Sequence, residues 1–190
     1  MGKLNRNFYS FPTLIVARKI LGKHLVHRTK DGLLSGIIVE TEAYIGLDDQ
    51  ASHARFGLTP RNRLMFGPPG FAYIYFIYGM YHCLNVVTEP PGVPAAVLIR
   101  AMEPVDGLKA MIMRRRGQRR ELTNGPARLC MALAIDSSLN GIDLCGDELY
   151  IEDRGRETGE ICSSPRVGVS GGRDKHWRFY IKGNRWVSGR

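Results

Sequence analysis

The segment HLVHRTKDGLLSGIIVETEA, His24–Ala43, holds two apolar runs, His24–Thr29 and Leu33–Ala43, joined by Lys30-Asp31-Gly32. A short turn between two such runs predicts a β-hairpin and antiparallel strands. Before it, PTLIVARKIL (Pro12–Leu21) has helical apolar spacing, with Pro12 near its start and Gly22 just after it. After it, residues 46–70 are rich in Gly, Pro, Asn and Arg and predict a long loop, a feature that in a compact domain is usually functional. Phe71–Ile77 and Pro94–Ala101 read as strands, Val105–Arg115 as a helix, and Gly125-Pro126 as the start of a helix running through Ala134. Short strands are expected near Leu149–Glu152, Arg166–Val169 and Trp177–Lys182. There is no repeat, linker or low-complexity stretch. The expectation is one α+β domain over residues 1–190, with a mainly antiparallel, curved sheet flanked by a few helices.

The 190 residues carry 27 Lys+Arg against 18 Asp+Glu, a net charge of +9, with 44% hydrophobic residues. That composition excludes a disordered chain and an acidic binding surface. No apolar run reaches the ~18 residues of a membrane span, and the N-terminus shows no apolar signal core, so an intracellular protein is expected, in cytoplasm or nucleoid if bacterial and in the nucleus if eukaryotic. Positive charge falls in acid-free blocks, residues 1–30 and KAMIMRRRGQRR (Lys109–Arg120), and in a basic tail from Arg166 onward. Arg outnumbers Lys by 20 to 7, and the guanidinium fork suits phosphate oxygens. Such a surface fits a nucleic-acid backbone, and equally an idle solvated face. Cys83, Cys130, Cys145 and Cys162 form no Cys-x-x-Cys pair, which points to four reduced thiols and no metal site.

The acids gather where the basic surface would repel them unless they had work to do: Glu40, Glu42, Asp48 and Asp49 fall within ten residues. Alternation along IVETEAY puts Glu40, Glu42 and Tyr44 on one strand face. On an exposed face they are ordinary surface polar groups; lining a cleft, one carboxylate can act as a general base toward water. His53 follows in the loop, able to position a substrate or to cap a turn. In YIYFIYGMY (Tyr73–Tyr81), Tyr73 and Tyr75 share a face, and Tyr78 precedes Gly79 at an expected turn from which it projects outward. Such rings can be buried strand aromatics, or can stack on or wedge between nucleobases. In Thr59-Pro60-Arg61-Asn62-Arg63, the two guanidiniums of Arg61 and Arg63 flank an Asn beside a rigid turn and suit phosphate contacts. Asn85 and Arg100, expected at strand ends near the aromatics, are further polar candidates.

These residues sit in ordered motifs: VETEAYIG (Val39–Gly46), the Ala-x-His-Ala-Arg pattern around His53, TPRNRLMFGPPG (Thr59–Gly70), YIYFIYGMYHCLNVV (Tyr73–Val87), LIRAMEP (Leu98–Pro104), NGPARLCMALAI (Asn124–Ile135), PRVGVS (Pro165–Ser170) and RFYIKG (Arg178–Gly183). From about Phe8 to the C-terminus the sequence resembles the 3-methyladenine (alkyladenine) DNA glycosylases of the mammalian type. The resemblance implies a base-excision repair enzyme that flips a damaged purine out of duplex DNA. It places the general base on Glu42, and the enclosure of the flipped base on Tyr44, His53 and Tyr75. It gives purine discrimination to Asn85, a place near the water and the sugar-phosphate to Arg100, and the gap-filling side chain to Tyr78. It also implies that any function residing in a long extension ahead of the first helix is missing here.

The expected reaction is hydrolysis of the N-glycosidic bond by a Glu42-activated water, without strand cleavage and without cofactor or metal, by a monomer acting on double-stranded DNA that contains damaged purines. Glu40 is the next candidate for the base. Two other readings remain open: a non-catalytic module that binds lesion DNA, and an RNA-acting base-modifying enzyme. A metabolic enzyme acting on free nucleotides leaves the basic blocks without a role.

Overall fold

The computed structural model describes residues 2–189. In chain order the elements are β1 (Gly2–Lys3), α1 (Arg6–Tyr9), α2 (Thr13–Lys19), β2 (His24–Thr29) and β3 (Gly32–Ile45), then β4 (Ala72–Ile77), β5 (Tyr81–Val87) and β6 (Ala95–Pro104). They continue with α3 (Leu108–Arg114), α4 (Pro126–Ala132), β7 (Leu149–Asp153), β8 (Ile161–Ser164) and β9 (Arg178–Ile181). Single 3-10 turns occupy His53–Phe56, Arg63–Phe66 and Ser137–Leu139. The strands form one antiparallel sheet in the order β1-β7-β2-β3-β6-β5-β4, with β9 also paired to β3 and β8 to β9. The fold is α+β, and the hairpin read from His24–Ala43 is its centre, with His24 opposite Ile37 and Thr29 opposite Gly32. Among the described residues no helix is long and apolar enough to cross a membrane.

β3 is 14 residues long and serves three neighbours. Its first half pairs with β2, its later residues Glu40–Glu42 with β9, and β6 runs along most of its length. The register against β6 slips between Ile38 and Thr41. A bulge of this kind bends a strand and re-aims the side chains beside it, and here those side chains belong to Glu40 and Glu42.

Apolar side chains from α2, α3, α4 and the sheet form one large core that includes Ile20, Leu84, Ile99 and Met111. Each such side chain contributes about 1.5–3 kcal/mol on burial. α2 starts where the backbone N–H of Thr13 donates to Glu89 (2.7 Å), which also accepts from the Thr13 hydroxyl (2.8 Å), so a carboxylate satisfies orphan donors of the first turn. Gly70 begins the approach to β4 at φ +81, where a Cβ would stand 2.7 Å from the Tyr9 ring. That position needs glycine both for its backbone and for the close approach of Tyr9.

Several expectations are corrected. Arg166–Val169 is not a strand: the side chain of Arg166 is buried against Asp49, and the Val167 N–H, which a sheet would need, donates to Glu42. Asn85 and Arg100 lie inside β5 and β6, not at strand ends, and β5 itself was not anticipated. α3 begins at Leu108 rather than Val105, because the N–H groups of Val105 and Asp106 are both held by the Ser35 carbonyl and Gly107 is left-handed (φ +78). α4 ends at Ala132, two residues short of the expected Ala134, which is itself left-handed (φ +55).

Candidate active site

A cavity of about 380 Å3 opens among β4, β5, β6 and the loops around residues 51–53 and 167–169. That lies in the range of about 300–1,000 Å3 typical of small-molecule sites. One wall is aromatic: His53 packs edge-on against Tyr75 with ring centroids 4.5 Å apart, and Tyr75 lies 5.5 Å from Tyr73. Alternation along β4 sends Tyr73 and Tyr75 to the same side, as the sequence predicts, and Tyr44 faces the same cavity from β3.

The rings are fixed by their polar atoms. His53 Nδ1 and the Tyr73 hydroxyl are 2.8 Å apart. Burial raises the Tyr73 phenol to about 12, so it stays protonated. Burial also raises Tyr44 and Tyr75, the former reinforced by the Glu42 charge and the latter by Cys83. Burial lowers His53, with the Arg61 guanidinium acting in the same direction, so its ring favours the neutral form. Asn85 is buried, and its Nδ2 donates to the Tyr73 carbonyl (3.0 Å). Its side-chain oxygen has no protein partner among the described residues, and the residue lines the cavity.

Behind this wall lies a network of buried charge. Glu42 has no exposed surface. Its Oε2 accepts from the Tyr44 hydroxyl (2.7 Å) and from Arg100 (3.2 Å), and its Oε1 accepts from the Val167 N–H (2.7 Å). All three donors belong to residues that line the cavity. Arg100 is shared, since its Nε donates to Glu40 (3.0 Å) and its third nitrogen to the Ser188 hydroxyl (3.3 Å). Glu40 accepts further bonds from Arg178 Nε (2.7 Å) and from the backbone and hydroxyl of Ser188 (2.6 and 2.9 Å). Two carboxylates thus face two guanidiniums, which is the condition for holding charge out of water. Burial works to lower Arg100, but the carboxylates of Glu42 and Glu40 overcome it and raise it.

The structure therefore separates the clustered acids. Glu40, the alternative base, accepts from four donors, of which only Arg100 belongs to a residue that lines the cavity. Asp49 is a structural partner: both of its oxygens meet Arg166 at 2.6 Å, and despite burial, which acts upward, that guanidinium holds its carboxyl below the usual range. Asp48 is exposed. Glu42 alone of the four is hydrogen-bonded to three residues that line the cavity. Arg166 also lies over the Tyr44 ring (4.7 Å), so the Asp49–Arg166 pair buttresses the aromatic wall from behind.

The remaining candidates rim the opening. Tyr78 is 84% exposed at the tip of the β4–β5 hairpin, pointing outward as expected. Arg61 is exposed, lies over Tyr75 (5.7 Å) and donates weakly to the Phe76 carbonyl (3.3 Å); Arg63 is exposed in the same loop. Sequence reasoning did not single out Arg166, the Val167 N–H, Arg178 or Ser188. They lie more than a hundred residues from the acids they hold; the motifs PRVGVS and RFYIKG contain Arg166, Val167 and Arg178, but nothing local tells which acid each one meets.

The sequence matches the model of the Methylpurine-DNA glycosylase (MPG) family over residues 7–185. It is 52% identical over 196 residues to a protein of Methanocella arvoryzae, covering 100% of this chain and 98% of that one. It is 49% identical over 199 residues to a protein of Alkaliphilus oremlandii, covering 98% of each. Over the same span it is 48% identical to a protein of Clostridium acetobutylicum, covering 98% of this chain and 97% of that one. Each of the three is named "Putative 3-methyladenine DNA glycosylase". An aromatic cavity backed by a buried carboxylate and a match that spans almost every element lead to one conclusion: the chain belongs to the methylpurine-DNA glycosylase family.

Proposed function

We propose that this protein removes alkylated or deaminated purines from duplex DNA by hydrolysing the N-glycosidic bond, and that Glu42 is the general base. The observation that carries the reading is the placement of Glu42: one carboxylate, buried and ionically balanced, directly behind three residues that line a cavity large enough for a purine.

An N-alkylated purine is already a good leaving group. The site then has to activate water and offset the cationic sugar that develops as the bond breaks. A carboxylate does both. Oε1 of Glu42 carries one hydrogen bond, leaving a lone pair for the water's proton, while Arg100 and Tyr44 fix the other oxygen. In this reading Tyr44, His53 and Tyr75 enclose the flipped base, and their electron-rich faces favour an electron-poor ring. Asn85 meets the edge of the base and selects among purines, and Tyr78 fills the gap left in the stack. Arg61 and Arg63 hold backbone phosphates. The acting species is a monomer, without cofactor or metal. Extrusion costs least for a damaged or mispaired base, so part of the selection precedes chemistry.

Among the described residues no lysine lines the cavity, which supports hydrolysis over Schiff-base chemistry and hence a reaction without strand cleavage. Borohydride trapping of a covalent enzyme–DNA adduct would overturn that part. The central test is base release from alkylated duplex DNA by wild type and Glu42→Gln side by side. The variant is expected to bind DNA as wild type does and to lose at least about 100-fold in excision rate, the range of general-base contributions. Excision within a few-fold of wild type would remove Glu42 from the role. A lesion-binding module without chemistry gives no reason for a balanced carboxylate behind the cavity; structured RNA as a parallel substrate tests the RNA-acting alternative.

A further inference from the structure

We infer that a second cavity beside the base pocket receives the nucleotide adjoining the lesion on the same DNA strand, with Arg55 and Phe56 as its principal contacts. The inference rests on the DNA reading above and adds a binding site to it. The cavity measures about 400 Å3 and shares His53 and Val169 with the first, so the His53 turn is a partition between two neighbouring chambers. A flipped nucleotide remains covalently tied to its neighbours. Once its base lies in one chamber, the adjoining phosphate and sugar are the nearest groups to the next.

The lining chemistry fits such an occupant. The second chamber presents the guanidiniums of Arg55 and Arg61 and the hydroxyls of Thr59 and Ser170, and among the described residues no carboxylate lines it. Arg55 donates to the Gln50 carbonyl (2.6 Å) and lies 4.3 Å over the Phe56 ring, which keeps cation and ring together. Phe56 is 78% exposed, exceeded among the large apolar side chains only by Tyr78, in the described residues. The turn that presents the pair is rigid. Asn62, 1% exposed, donates to the carbonyls of His53 and Gly57 (2.9 Å each) and so clamps both ends of it, and the Ser52 hydroxyl accepts from the Ala54 N–H (3.1 Å). A free anion would use the arginines and leave an exposed ring unexplained. A sugar-phosphate with its base uses both.

The test is equilibrium binding to duplexes that carry a stable abasic analogue at the lesion position. One series adds a single neutral methylphosphonate at each lesion-strand phosphate next to it, and another removes the base of each neighbouring nucleotide. For wild type, one methylphosphonate position and one neighbouring base removal are each expected to weaken binding about ten-fold, the low end of one lost charged hydrogen bond or stacking contact. Arg55→Ala is expected to cost a similar factor on the unmodified duplex and nothing further on the sensitive methylphosphonate, because the two changes delete one interaction. Phe56→Ala behaves in the same way toward the neighbouring base, and Arg55→Lys recovers most of the affinity. If Arg55→Ala and Phe56→Ala bind the unmodified duplex as wild type does, or if their losses multiply with those of every DNA modification, the second site is wrong. Base release by wild type from alkylated duplex is measured in parallel; its failure would sink the glycosylase reading while the binding comparisons stand on their own.

Discussion

Glu40 and Glu42 are two residues apart on β3, equally buried, and bound to the same arginine, yet their environments assign them different work. Glu40 accepts from Arg100, from Arg178 and twice from Ser188, and of these only Arg100 lines the cavity, whereas all three donors to Glu42 belong to residues that line it. Glu40 therefore anchors Arg100 and ties the C-terminal segment to the sheet. Removing one partner from a buried ion network leaves uncompensated charge, at a cost of about 3–5 kcal/mol. Glu40→Ala strands Arg100 and Arg178, and is expected to lower the melting temperature by about 10 °C, taking about 2–4 °C per kcal/mol for a chain of this size. Thermal denaturation followed by circular dichroism checks it, and a shift under 3 °C would show the network to be dispensable.

At the scale of the element, the β4–β5 hairpin carries an unusual tip. Ile77 pairs with Tyr81, and the loop between them has Tyr78 at φ +51 and Gly79 at φ +66. A non-glycine residue in the left-handed region costs about 1–2 kcal/mol, and such strain is tolerated where the side chain is used. Tyr78→Gly relieves it but adds about 0.5–1 kcal/mol of backbone entropy loss. The relief is the larger effect, so the variant's melting temperature should be at or slightly above that of wild type. Its affinity for lesion duplex should nevertheless fall about ten-fold, because a wedge worth about 1–3 kcal/mol of stacking is gone. A variant that melts higher and binds equally well would show that Tyr78 is not the wedge. The same hairpin brings Tyr73, Tyr75, Cys83 and Asn85 to one cavity, so a single turn sets both the pocket wall and its prong.

For the whole molecule, charge and pH give two further expectations. With a net charge of +9, DNA binding should be driven by release of condensed counterions. About four phosphate contacts correspond to roughly a 100-fold loss of affinity between ~50 and ~200 mM salt, and a flat salt titration would contradict a backbone interface. Stability should also fall on the acid side. Burial lowers His24, with Arg154 acting in the same direction, and burial and Arg61 lower His53. The unfolded chain takes up protons near pH 6.5 that the folded chain resists, so stability is full above that value and declines as pH falls toward the folded-state values. Melting temperatures measured from pH 8 to pH 5 should drop below about pH 6.5, and His24→Asn should flatten part of that slope.

How much of this was legible in the sequence follows from the range of each interaction. Apolar spacing and turn residues act over a few positions, so the His24–Ala43 hairpin, α2, β4, β6, β7 and β9 could be read along the chain, as could the shared face of Tyr73 and Tyr75 and the outward Tyr78. The family motifs likewise pointed to Glu42 and to the residues that the fold gathers around the cavity. What a local reading could not separate was Glu40 from Glu42, or Asp49 from both. All three are carboxylates in one short segment, and what distinguishes them is which distant guanidinium or N–H each one meets. Those partners, Arg100, Arg166, Val167, Arg178 and Ser188, arrive from β6, β9 and the loops around them, over sequence separations of about 60 to 150 residues. The same contacts turned an expected strand at Arg166–Val169 into a loop, because its N–H and its guanidinium were taken by carboxylates instead of a sheet. The chain's own pattern determined the sheet and the aromatic wall; tertiary packing alone decided which acid is bonded to the cavity-lining residues, because a buried charge is defined by the partners that balance it.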